Sequence, residues 1–145
     1  MSKLGCTCGH TIRDQTDCLP YKGRFLRDYD IDAVCDAIER ECEALIAAVV
    51  AGDRESWLRR HFLEMYPRDL PNGAVFHDFV SSLLREFLDV VYECEACGRL
   101  WVQRPGTDNE FASFAPEAGK VERVLRSPRD AAHAEPGAAP DPADR

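Results

Sequence analysis

A chain of 145 residues with 45% hydrophobic content carries enough material for one domain with a real core. Its formal net charge of −8 sets it against nucleic-acid phosphates unless a local basic patch intervenes, and favours basic partners. The longest apolar run, 44–51, is far too short for a membrane span, and Cys and Gly stand where the apolar stretch of a signal peptide would be. A cytoplasmic protein is expected.

The chain opens on Cys6-Thr7-Cys8-Gly9-His10, a cysteine pair closed by glycine. Glycine there permits a positive φ and lets backbone N–H groups point at a thiolate. His10 to Arg13 alternates as a strand leaving this turn, and 17–23 carries loop and breaker residues. A first helix is predicted from Asp30 or Asp32 to Gly52. Its apolar spacing of Ile31, Val34, Cys35, Ile38, Cys42, Leu45, Ile46 and Val49 puts Cys35 and Cys42 on the inward stripe. Asp53 is suited to cap a second helix, Arg54 to Met65, with Trp57, Leu58, Phe62 and Met65 inward and Pro67 closing it. A third helix is predicted over 74–91, with a wide apolar stripe from Phe76 to Val91 that runs straight into Cys94-Glu95-Ala96-Cys97-Gly98. Arg99 to Gln103 then reads as a strand, 105–109 as a turn and Phe111 to Phe114 as a returning strand. From about Ser127 the chain is Ala, Pro, Asp and Gly without periodicity, which predicts a disordered tail over 127–145.

Two Cys turns supply four thiolates, the number a closed tetrahedral zinc site requires. Cys6, Cys8, Cys94 and Cys97 are therefore the expected ligands of a structural Zn2+, with His10 as an alternative to one of them. Seven cysteines without an export signal point to metal and free thiols, and four ligands leave Cys18, Cys35 and Cys42 over. A redox Cys-x-x-Cys would open a helix, whereas this one opens a strand. The expected fold is α+β: a small antiparallel zinc ribbon built from both ends of a domain over 1–126, with about three helices inserted at about 30–91.

The segment from Cys6 to Asp17 with Leu19-Pro20-Tyr21-Lys22, and Tyr92-x-Cys94-x-x-Cys97-Gly98-Arg99-Leu100, resembles small uncharacterised bacterial proteins that begin with a Cys-x-Cys-Gly turn. The resemblance covers the two ends of the domain rather than the helices. It implies a zinc ribbon and brings no catalytic residues.

Function is less constrained. Asp32, Asp36, Glu39 and Glu43 lie at helical spacing on one face, and like charges so placed oppose the helix. Seven acidic residues against Arg40 alone between Asp28 and Val50 make an acidic ridge. A non-catalytic protein-binding module follows, with an immunity protein covering a basic toxin as its concrete form. The bland alternative is a solvated helix face. The second reading is a nucleic-acid-associated ribbon, using Arg99, Trp101, Gln103 and Arg104 with Lys22, Arg24 and Arg27. No Gly-rich phosphate loop, nucleophile elbow or His-Glu-x-x-His stands in the chain, so no enzyme is expected.

Overall fold

The computed structural model describes residues 2–117, 119 and 121–127. The fold is α+β, as the sequence implies, with three α-helices and six strands among the described residues. The tail expected over 127–145 lies outside the described residues apart from Ser127. Two compact units are present: Met1–Gly23 with Val90–Arg145, and Arg24–Asp89. Among the described residues no helix is long and apolar enough to cross a membrane.

In the first unit, β1 (Ser2–Gly5) and β2 (Thr11–Asp14) form an antiparallel hairpin with Leu4 opposite Ile12 and Gly5 opposite Thr11. A second sheet has the order β3-β4-β5-β6, from β3 (Lys22–Phe25), β4 (Asp89–Glu93), β5 (Leu100–Gln103) and β6 (Phe111–Phe114). Tyr92 faces Trp101 across β4 and β5, and Trp101 faces Ser113 on β6. Cys6, Ile12, Tyr92 and Cys94 form the buried core, with Leu4, Tyr21, Trp101 and Phe111 packed around it. One carboxylate joins the hairpin to the larger sheet: Asp14 accepts from Lys22 Nζ at 2.7 Å and from the Tyr92 hydroxyl at 2.6 Å. The Tyr21 hydroxyl adds a bond to the Arg13 carbonyl at 2.7 Å. Gly23 sits where a Cβ would come within 3.1 Å of Val91 and 3.3 Å of Leu125, so a side chain there must displace one of them.

The second unit holds α1 (Ile31–Val50), α2 (Arg54–His61) and α3 (Asn72–Phe87), preceded by a 3-10 turn over Asp28–Asp30. Gly52, at φ 72°, stops α1 as expected: Gly52 N–H bonds to the Val49 carbonyl and Asp53 N–H to that of Ala48. The core is Leu45, Trp57, Leu58 and Val75, flanked by Ala44, Ala48, Phe62, Tyr66 and Phe79. The loop between α2 and α3 is pinned by Arg54, whose guanidinium donates to the carbonyls of Arg68 and Leu70 at 2.6 Å each and to Asn72 Oδ1 at 2.7 Å.

Several element boundaries differ from the sequence reading. The third helix ends at Phe87 and Leu88 turns extended, so 89–93 is strand β4 rather than the last turn of a helix. The second helix ends at His61 because Phe62 goes extended and stacks on Tyr66, ring centroids 3.9 Å apart. Met65, expected inward, is 94% exposed. On α1 the buried residues are Val34, Ala37 and Leu45, while Cys35 is exposed and Cys42 half-buried. Small Ala residues mark the side that packs, and the bulkier Ile31, Ile46 and Val49 face outward. Strands β1 and β3 were absent from the sequence reading: β1 precedes the first cysteine turn, and β3 lies in its breaker-rich loop.

His61 sits between Trp57, at 4.3 Å, and Phe79, at 4.9 Å between centroids. Its Nε2 lies 3.0 Å from Glu41 Oε2, close enough for attraction although too poorly aligned for a hydrogen bond. Burial lowers the His61 pKa below its ordinary 6.5; Glu41 opposes this and Arg60 adds to it. The unfolded chain therefore binds the proton first as pH falls. His61 contributes stability that is intact above about pH 6.5 and is lost as pH drops below that value towards the lowered folded pKa. Melting temperature should decline from pH 7 to pH 5, and less steeply in His61→Gln. Parallel declines in the two proteins would contradict this assignment.

Candidate metal centre

Each cysteine turn is a short loop closed by backbone hydrogen bonds and a glycine in the left-handed region. In the first, Cys6 N–H donates to the His10 carbonyl at 2.8 Å and Gly9 N–H to that of Cys6 at 2.9 Å, with Gly9 at φ 92°. In the second, Cys94 N–H donates to the Arg99 carbonyl at 2.8 Å and Gly98 N–H to that of Cys94 at 2.7 Å, with Gly98 at φ 70°. The two frames are the same, and the Cys-x-Cys turn achieves the closure with one residue fewer. The missing residue thus removes a spacer and leaves the geometry of the knuckle intact.

The two turns meet. Cys6 Sγ lies 3.6 Å from Cys97 Sγ, and Cys8 Sγ lies 3.6 Å from Cys94 Sγ. All four sulfurs fall within 4.8 Å of one another. A tetrahedron of thiolates at the usual zinc–sulfur distance of about 2.3 Å has an edge of about 3.8 Å. These sulfurs bracket that edge, so the four cysteines could hold a metal ion. Cys6 and Cys94 are buried, Cys97 is half-buried and Cys8 is exposed.

The surroundings favour thiolate on one side of the cluster. Burial alone would push the Cys6 thiol up, but the Cys8 amide and the Trp101 indole N–H outweigh it and bring its pKa down to about 6. Trp101 Nε1 is buried without a hydrogen-bond partner that meets ordinary geometry, and it lies near enough to the Cys6 sulfur to favour its thiolate. Cys94 moves the other way. Burial pushes its thiol up to about 12, against the amides of Cys97 and Ala96, and the neighbouring Cys6 and Cys97 sulfurs add to the rise. The Arg99 amide favours a Cys97 thiolate, yet burial and the other sulfurs leave its pKa raised.

His10 is not part of the cluster; its Nε2 lies 3.9 Å from Glu95 Oε2. Cys18 is exposed in its loop at φ 58°, and Cys35 is exposed on α1. Asp32, Asp36, Glu39 and Glu43 are all exposed on α1, as the spacing implies. The sequence offers Trp101 either as a surface for bases or as a packing residue, and its side chain packs against the core of the first unit. Its role beside the sulfurs had no local sequence signal; only the pairing of β4 with β5 brings it there.

The chain belongs to the family described as Domain of unknown function (DUF8617), whose model matches residues 2–118. That span contains both cysteine turns and the three helices. No curated protein and no solved structure matches the chain.

The cluster ties points 86 and 91 residues apart. By analogy with a disulfide, closing a loop of about 90 residues removes on the order of 4–5 kcal/mol of unfolded-state entropy. A bound metal therefore adds folding free energy. Stripping metal with a chelator, or Cys94→Ser, should lower the melting temperature by about 10 °C or more. An unchanged melting curve after verified metal removal would contradict the structural role.

Proposed function

We propose that this member of the DUF8617 family is a non-catalytic protein-binding module whose fold is closed by one structural zinc ion. The observation that carries the zinc assignment is the completeness of the donor set. Four sulfurs lie within 4.8 Å of one another, on two turns whose amides are aimed at them, and a tetrahedral ion so bound keeps no position for water or substrate. Zinc with four thiolates would take the formal charge from −8 to about −10. Free thiols at Cys18, Cys35 and Cys42 fit a reducing compartment such as the cytoplasm.

The binding role rests on α1. Asp32 with Asp36 and Glu39 with Glu43 are like-charge pairs at i,i+4, exposed and adjacent on one helix. Such pairs cost local stability, and a basic partner turns the cost into attraction. An immunity protein that covers the basic surface of a toxin is the concrete form of this reading.

Carbodiimide coupling, which joins carboxylates to lysine amines, is the direct way to trap the partner, and its affinity is then measured with purified components. The complex should weaken at least tenfold between about 50 and 300 mM salt, as screening of exposed charges requires. Recovery of nucleic acid instead of protein, or a salt-insensitive complex, would overturn the electrostatic reading. Removing the like-charge pair with Glu39→Gln and Glu43→Gln should raise the stability of the free protein by about 0.2–0.5 kcal/mol. A loss of stability would assign those carboxylates a structural role.

A further inference from the structure

The outward side of α1 carries two adjoining stripes. On the α-helical repeat, Ile31, Cys35, Cys42, Ile46 and Val49 fall within one narrow sector, and Asp32, Asp36, Glu39 and Glu43 fall in the sector directly beside it. The buried side of the helix, through Val34, Ala37 and Leu45, lies on the flank away from the acids. The apolar stripe is open: Ile31 is 41% exposed, Ile46 52% and Val49 37%, and Cys35 is exposed as well. Apolar positions at i, i+4, i+11, i+15 and i+18 with a charged border make the groove-side half of a helix-on-helix contact.

We infer that this face of α1 docks a basic amphipathic helix of another protein, its apolar side on the Ile31 to Val49 stripe and its Lys or Arg border on the acidic ridge. The inference rests on the protein-binding reading above and adds the site and the shape of the partner. Charge complementarity selects the occupant. A second copy of the chain is disfavoured, because two α1 helices paired antiparallel about a two-fold axis set each acidic ridge against its own copy, and each chain already carries −8. An anionic lipid surface is repelled by the same ridge. The stripe runs from Ile31 to Val49, about 27 Å of helix, most of which a partner helix of about 14–18 residues covers. A contact of that size belongs to the weak, transient class.

The test uses the full chain, metal-loaded, and a fluorescein-labelled peptide of two Leu-Lys-Lys-Leu-Leu-Lys-Leu repeats, with binding read by fluorescence anisotropy at low salt. Two control peptides accompany it: one with Glu in place of every Lys, and one of the same Leu and Lys content scrambled to abolish the apolar face. The amphipathic basic peptide should bind at least tenfold more tightly than either control. Glu39→Gln with Glu43→Gln, and separately Ile46→Ser with Val49→Ser, should each weaken it about tenfold. Both sets of positions are exposed, and far-UV circular dichroism with metal content verifies that the variants stay folded. Equal affinity in wild type and both variants would place the docking site elsewhere and overturn the inference while leaving the protein-binding reading intact. Equal binding of the scrambled peptide would reduce the effect to bulk charge and overturn it too, as would concentration-dependent dimers lost in the Ile46→Ser, Val49→Ser variant. Failure of the broader reading shows in a different assay, the carbodiimide capture with purified partner.

Discussion

Four sulfurs gathered within 4.8 Å are the constraint on which the first unit depends, because they join the turn at Cys6–Cys8 to the turn at Cys94–Cys97 across most of the chain. The β1–β2 hairpin is short, and isolated hairpins are marginal in water. What holds it is the shared core of Cys6, Ile12, Tyr92 and Cys94, together with the Asp14 carboxylate that receives Lys22 and Tyr92. Half of that core is cysteine. Thiols are modest hydrophobes, so a core built from them gains most when a metal draws their sulfurs together. The sulfurs differ in surroundings: amide and indole donors lower the Cys6 pKa, whereas burial raises that of Cys94.

The four cysteines that cluster are legible in the sequence because each turn is a local object. Cysteine, spacer and glycine within four or five residues specify the turn, and even the shortened Cys-x-Cys form keeps both closing hydrogen bonds. The helices were legible in number and approximate place but not in orientation. On α1, Val34 and Leu45 of the expected stripe are buried, but Ile31, Cys35, Ile46 and Val49 are exposed, and the packed side is completed by Ala37, Ala44 and Ala48, where small side chains let the neighbouring helices approach. Close packing rewards a small residue, and a hydrophobicity pattern does not register that. Val91 continues the apolar rhythm of α3, yet it lies on strand β4 and pairs with Val102 of β5, a choice made by residues about ten positions away. The role of Trp101 was hidden for the same reason: it depends on what lies across the sheet.

The two units differ in chemistry. The first supplies a closed thiolate site and a tight polar network. The second supplies a helix with two exposed stripes of different chemistry, side by side. The same outward rotation of α1 that contradicts the expected burial of Cys35 also leaves Ile31, Ile46 and Val49 open next to four carboxylates. An apolar stripe bordered by a single sign of charge is a costly surface for a monomer to keep in water, and the proposed recognition of a basic partner would account for both halves of it.

The most direct measurement is metal per chain by native mass spectrometry on protein purified without chelator, paired with thiol titration before and after metal release. The account requires one zinc per chain, with Cys18 and Cys35 reactive throughout and four further thiols appearing only on release. A metal-free chain whose Cys94 and Cys97 react freely or form a disulfide would contradict it.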